Sequence, residues 1–111
     1  MFEKLFKRPS AIARQLEAPL VSERASFLAQ RAEDGAARDT LVRLARELLV
    51  VVRELDLTSS YLITLAAVET AAGRWAKQQR RRRRARTLQW PRVFFLQTAT
   101  AWLRYLGRLC T

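Results

Sequence analysis

"LVRLARELLVVVREL", residues 41–55, decides the fold class. Its apolar residues Leu41, Leu44, Ala45, Leu48, Val52 and Leu55 recur at the three- and four-residue steps that gather side chains on one stripe of an α-helix. Arg43, Glu47, Val50 and Glu54 fall on the opposite side. A half-buried strand would alternate every second residue, and no such alternation or Asn-Gly hairpin signal occurs in the chain. The stretch therefore reads as an amphipathic helix. Asp39 or Thr40 stands near its start, where a side-chain oxygen can cap the helix or satisfy a first-turn amide.

The same spacing extends in both directions. Upstream, Phe27, Leu28, Arg31 and Ala32 mark a helix from about Leu20 to Asp34, and Gly35 follows as the residue able to take the left-handed stop. Downstream, a loop "DLTSSYLI" (56–63) leads to Thr64, an N-cap for a helix from Leu65 to about Gln79. Leu65, Val68, Ala72, Trp75 and Ala76 form its apolar stripe; Arg74, Lys77 and Gln78 form the polar one. A fourth helix is expected from Pro91, which suits a first helical position. Its inner face is Phe95, Ala99, Trp102, Leu103 and Leu106, with Gln97, Arg104 and Arg108 on the other side and Gly107 as the stop. Residues 1–18, punctuated by Pro9 and Pro19, read as an N-terminal arm, and residues 19–109 as one helical domain with a basic loop at 78–90. The expected fold is all-α, a compact bundle of four helices with short connections.

Charge is distributed unevenly. Residues 1–69 hold ten Lys/Arg and ten Asp/Glu, whereas residues 70–111 hold eleven Lys/Arg and no acid, so the net +11 lies entirely in the second stretch. A purely basic stretch joined to a balanced one points to a polyanionic partner, nucleic acid before others. Catalytic chemistry has little to work with. The chain has no histidine, one cysteine (Cys110), three isolated glycines and no metal-ligand spacing. No nucleophile, base and orienting group come together in the sequence, so no catalytic residue, cofactor, metal or small-molecule substrate is expected. The single cysteine fits a reducing compartment, and the longest aliphatic run, Leu48–Val52, is far short of a membrane span. With no apolar signal core in the first residues, a cytoplasmic protein is expected, nucleoid-associated when on DNA.

The basic stretch centres on "QQRRRRRARTLQW", residues 78–90, with Arg80, Arg81, Arg82, Arg83 and Arg84 consecutive and Arg86 next. On a helix these side chains would fan in all directions and repel at i,i+4. In an extended segment, alternate arginines recur about every 6.6 Å on one side, a comb able to follow a phosphate backbone. The extended comb is the expected form, against a solvated spacer or a nuclear-import signal. Trp90, beside Pro91, reads either as a staple against the first helical turn or as a contact with a sugar edge.

In order and spacing, "FLAQRAEDGAARDTLVRLARELLVVVREL" (27–55), "ITLAAVETAAGRWAK" (63–77) and "RTLQWPRVFFLQTATAWLRYLGRL" (86–109) resemble the N-terminal core-binding domain of tyrosine recombinases, the phage-integrase family. The resemblance covers about residues 20–109. It implies a SAM-like four-helix domain that clamps one side of a recombination site, with its second and fourth helices toward double-stranded DNA. By that resemblance Thr40 matches the family threonine at the start of the second helix, with Arg38 and Arg43 on the accessible side. Arg92 and Gln97 match polar positions of the fourth helix, Thr87 a threonine just before it, and the arginine run the intervening loop. Ala37 stands where the family carries serine, and Ala99-Thr100 where it carries an aromatic pair. The family's catalytic segment would follow "GRLCT" (107–111), so this chain is expected to bind DNA, alongside other recombinase protomers, and not to cut it. The rival readings are a helical regulatory module whose arginines meet an acidic protein, and an arginine-rich RNA binder.

Overall fold

Six helices carry most of the described residues, 1–83, 87 and 89–110 of the computed structural model. They are α1 (Phe2–Leu5), α2 (Pro9–Glu17), α3 (Val21–Glu33), α4 (Arg38–Glu54), α5 (Leu65–Arg81) and α6 (Gln89–Leu106). Two-residue strands, β1 (Ile63–Thr64) and β2 (Leu109–Cys110), pair in parallel, Ile63 with Leu109 and Thr64 with Cys110. The fold is all-α. The four expected helices are α3 to α6, and the two additional ones occupy the segment read as an arm. Pro9 is the reason that reading fails: it stands at the first position of α2, where its missing N–H has no acceptor to lose and its fixed φ favours the helix. Phe2, Leu5 and Phe6 are buried, so the segment contributes core rather than a free tail.

The chain divides into two compact units, Met1–Leu49 and Val50–Thr111, with α4 running through the division. In the first unit α2 packs on α1 and α3, and Phe27, Leu28, Leu41, Ala45 and Leu48 are buried. Arg24 of α3 is fully buried there: its guanidinium donates to the carbonyl oxygens of Gln15 (2.7 Å), Ala18 (3.0 Å) and Pro19 (2.8 Å) and to Gln15 Oε1 (2.8 Å). These acceptors lie at the C-terminal end of α2, where a helix leaves carbonyls without internal partners. Burial holds the Arg24 pKa below the ordinary arginine value, while neighbouring Glu23 pulls it up.

The second unit is built on α5 packed along α6. Val68, Ala72 and Ala76 of α5 and Phe95, Ala99, Trp102 and Leu103 of α6 are buried, as the stripes require. Small residues on α5 facing bulky ones allow close packing. Several members of the expected pattern differ, Val52 and Leu106 by being only half-buried. Leu65, 37% exposed, lies in the first turn of α5 outside the core. Trp75 is half-buried, with Arg53 over its ring at 5.2 Å. Arg108, expected on the polar side, is 7% exposed and donates to the carbonyls of Leu57 (2.6 Å), Ser60 (3.0 Å) and Tyr61 (2.7 Å). In that same loop the Asp56 carboxylate accepts from the hydroxyls and amides of Ser59 and Thr58, which holds its pKa down at about 2.

Both glycine stops are present and share one geometry. At Gly35 (φ +96) the amides of Gly35 and Ala36 donate to Ala32 and Arg31; at Gly107 (φ +70) those of Gly107 and Arg108 donate to Arg104 and Leu103. This paired 5→2 and 6→1 bonding satisfies the last carbonyls of α3 and α6 and requires a left-handed residue.

Glu47 corrects the pattern on α4. It is 8% exposed, one carboxylate oxygen has no hydrogen-bond partner among the described residues, and burial pushes its pKa from 4.5 up to about 7. A buried carboxyl with a raised pKa favours the folded state when protonated. That advantage is complete below the unfolded value of 4.5 and is lost as pH rises through about 7. Glu47→Gln should therefore raise stability over the wild type by about 1–2 kcal/mol at pH 8, a figure reduced for residual solvent screening, and leave it unchanged near pH 4. Urea denaturation at both pH values measures this; an equal difference at the two would refute it.

Candidate nucleic-acid interface

The candidate interface is the corner where α5 ends and α6 begins. Thr64 caps α5, its hydroxyl oxygen accepting from the Ala67 amide at 3.1 Å. The β1–β2 pairing ties the start of α5 to the end of α6, so the two helices form an antiparallel hairpin and the 82–88 connection lies at its opposite end. The second unit is strongly basic, with twelve Lys/Arg against three Asp/Glu.

Helix α5 continues into the arginine run. Arg80 and Arg81 form its last turn, Arg82 is the C-cap, and Arg83 follows in the left-handed conformation (φ 56), its amide donating to the Arg80 carbonyl at 3.0 Å. The extended comb is thus corrected for Arg80–Arg83, and of the basic loop expected at 78–90, residues 78–81 belong to α5 and residues 89–90 to α6. Arg84 and Arg86 lie outside the described residues. Arginine is a good helix former, and extending a helix that is already nucleated costs little, which outweighs a few tenths of a kcal/mol of repulsion per pair.

A basic stripe replaces the comb. Arg74, Lys77 and Arg81, at steps of three and four, are exposed on α5 and line an open groove of about 540 Å³ together with Glu69, Thr70 and Gln78. Arg74 is anchored, donating to the Glu54 carbonyl (2.6 Å) and carboxylate (3.4 Å). Lys77, Arg80, Arg81, Arg82 and Arg83 are exposed and make no ion pair among the described residues. Arg74 and Lys77 were not among the expected DNA contacts; the signal that points to them is the i,i+4 continuation of the run back into the helix.

Helix α6 starts at Gln89, two residues before the expected Pro91, which keeps a first-turn position where no N–H is needed. Its first turn has no acidic residue. Trp90 is 57% exposed and stacks on Phe94 with centroids 5.9 Å apart and planes at 5°. Its contact is therefore along the helix, with one face still open. Thr87, Arg92 and Gln97 are exposed on this part of the second unit.

The three sites expected on α4 belong to the first unit. Thr40 and Arg43 are exposed. Arg38 is exposed as well, and it also donates to the Leu5 carbonyl at 3.0 Å, a bond that ties it to the end of α1. Among the described residues no group of three or more His, Cys, Asp or Glu could hold a metal ion, and no helix is long and apolar enough to cross a membrane. No protein-family profile, curated protein or solved structure matches this chain.

Proposed function

We propose that this chain binds duplex DNA through its phosphate backbone, with the α5–α6 corner as the gripping surface, and that it serves as the DNA-clamping part of a tyrosine recombinase. One observation carries the DNA reading: four consecutive exposed arginines, Arg80 to Arg83, make no ion pair among the described residues and stand at that corner, with Lys77 one turn back on α5. Arg83 sharpens it. Its left-handed conformation costs an L-residue about 1–2 kcal/mol, and glycine fills the equivalent stop after α3 and α6. Stability alone favours glycine there, yet a cation occupies the position, which is the pattern of a site kept for binding. Guanidinium forks suit phosphate oxygens, and the first turn of α6, which carries no acidic residue, adds a helix-dipole field favourable to an anion. The recombinase role rests on the order of the three sequence stretches, with Arg92, Gln97, Thr40 and Arg43 as its base-facing candidates.

Because the run fans about a helix end, only part of it can meet one backbone. Substituting Arg80, Arg81, Arg82 and Arg83 together with glutamine should flatten the slope of log affinity against log salt by about 2–3 units, at roughly −0.9 per phosphate. All duplexes should weaken alike, since phosphate contacts carry no base information. Fluorescence anisotropy on two unrelated duplexes across a salt series reads both quantities. An unchanged slope would make the run a solvated spacer, and tighter binding to single-stranded RNA than to duplex DNA would favour the RNA reading.

A further inference from the structure

We propose that the first unit carries a separate phosphate-binding site, in the cleft between the α1–α2 corner and α4. This cleft, about 600 Å³ in volume, collects the unit's positive charge. Of the nine Lys/Arg in residues 1–49, five line it (Lys7, Arg8, Arg14, Arg38 and Arg46), whereas only Asp39 of the unit's seven acids does. Lys7, Arg8 and Arg14 are exposed and make no ion pair among the described residues. The other two are held in place: Arg38 by its bond to the Leu5 carbonyl, and Arg46 by the Phe6 ring 5.9 Å from its guanidinium carbon. The cleft thus pairs two anchored cations with three exposed ones that make no ion pair among the described residues. Ser10 and Ala11, in the first turn of α2, also line it, and that helix begins with neither a side-chain cap nor an acidic first-turn residue.

Gathering five cations against one carboxylate in a concavity is unfavourable until an anion enters, and the low-dielectric walls concentrate the field there. Guanidinium groups from two directions match the tetrahedral oxygens of phosphate, through charge-assisted hydrogen bonds that a spherical halide cannot reproduce. The ligand chemistry is a phosphate group, borne either by a nucleic-acid backbone or by a small phosphorylated molecule. The corner on α5 and α6 takes no part, so the two proposals stand or fall separately.

Amide NMR of the full chain tests the site. Inorganic phosphate, titrated against chloride at matched ionic strength, should move the Arg8, Ser10 and Ala11 amides saturably. The triple variant Lys7→Gln, Arg8→Gln, Arg14→Gln should weaken that response about tenfold or more. These three side chains hold nothing in place, so the variant keeps its fold, whereas Arg80–Arg83 substitutions should leave the response intact. A short duplex moving the same amides identifies the backbone as the natural ligand, and a response to phosphate alone identifies a small phosphorylated one. Equal movement by chloride, no movement with either probe, or an undiminished response in the triple variant would overturn the proposal.

Discussion

Arg24→Met should cost the first unit about 3–5 kcal/mol, a large share of what a domain this size holds in reserve. The side chain is fully buried, and its guanidinium donates to four acceptors, three of them backbone carbonyls at the end of α2. Methionine fills much of the same volume but offers no donor, so the buried Gln15 carbonyl and Oε1 would lose their partner, and the part-buried Ala18 and Pro19 carbonyls would lose theirs as well. The damage propagates, because Gln15 Nε2 also donates to the Ala45 carbonyl of α4 at 3.3 Å, and Gln15 is oriented by Arg24. Contact with the Phe2 ring, 5.4 Å from the guanidinium carbon, ties α1 into the same network. Arg24→Lys keeps the charge but replaces a planar fork with a point ammonium unable to span four acceptors, and should recover only part of the loss. Denaturation followed by circular dichroism measures both variants. A loss below about 1 kcal/mol for Arg24→Met would mean that water replaces the guanidinium at the end of α2.

Local chemistry made part of this fold legible in the sequence. Gly35 and Gly107 are readable as helix stops because the left-handed residue of that motif is costly for anything but glycine, and Thr64 is readable as a cap because its hydroxyl serves an amide three residues away. The helical phase of α6 is equally plain, since bulky residues at steps of three and four have one way to be buried together. What periodicity cannot show is a polar side chain's partner. Arg108 and Glu47 both sit where a charged residue reads as surface, yet each is buried, and Arg24 lies in phase with Phe27 and Leu28 without any local sign of the carbonyls it serves. For Arg108 the deciding partners lie 47 to 51 residues away in the 56–61 loop, beyond any local pattern. At the candidate interface the cluster of cations is visible in the sequence, but its shape is not. Repulsion among arginines argues for an extended run, while the helix already formed over 65–79 draws Arg80 and Arg81 into its last turn.

Arg108 provides the complementary test, because it belongs by sequence to the basic stretch and by structure to the core. If the basic residues formed one functional class, removing it would weaken DNA binding. The structure requires a different outcome. Its guanidinium holds three carbonyls of the 57–61 loop and lies over the Tyr61 ring at 4.8 Å, while its own carbonyl accepts from the Ile63 amide at 2.8 Å. It closes the loop between α4 and α5 onto the end of α6, and so fixes the end of the hairpin opposite the candidate interface. Arg108→Met should therefore destabilise the second unit by about 2–4 kcal/mol, through carbonyls left without a donor. Below its lowered melting temperature the variant should keep the wild-type salt slope for duplex DNA, since no phosphate contact is lost. Arg104→Met makes the control: that side chain is exposed on α6, and its loss should move stability by no more than about 0.5 kcal/mol. A flattened salt slope with unchanged stability in Arg108→Met would reverse the assignment and place that guanidinium on the DNA.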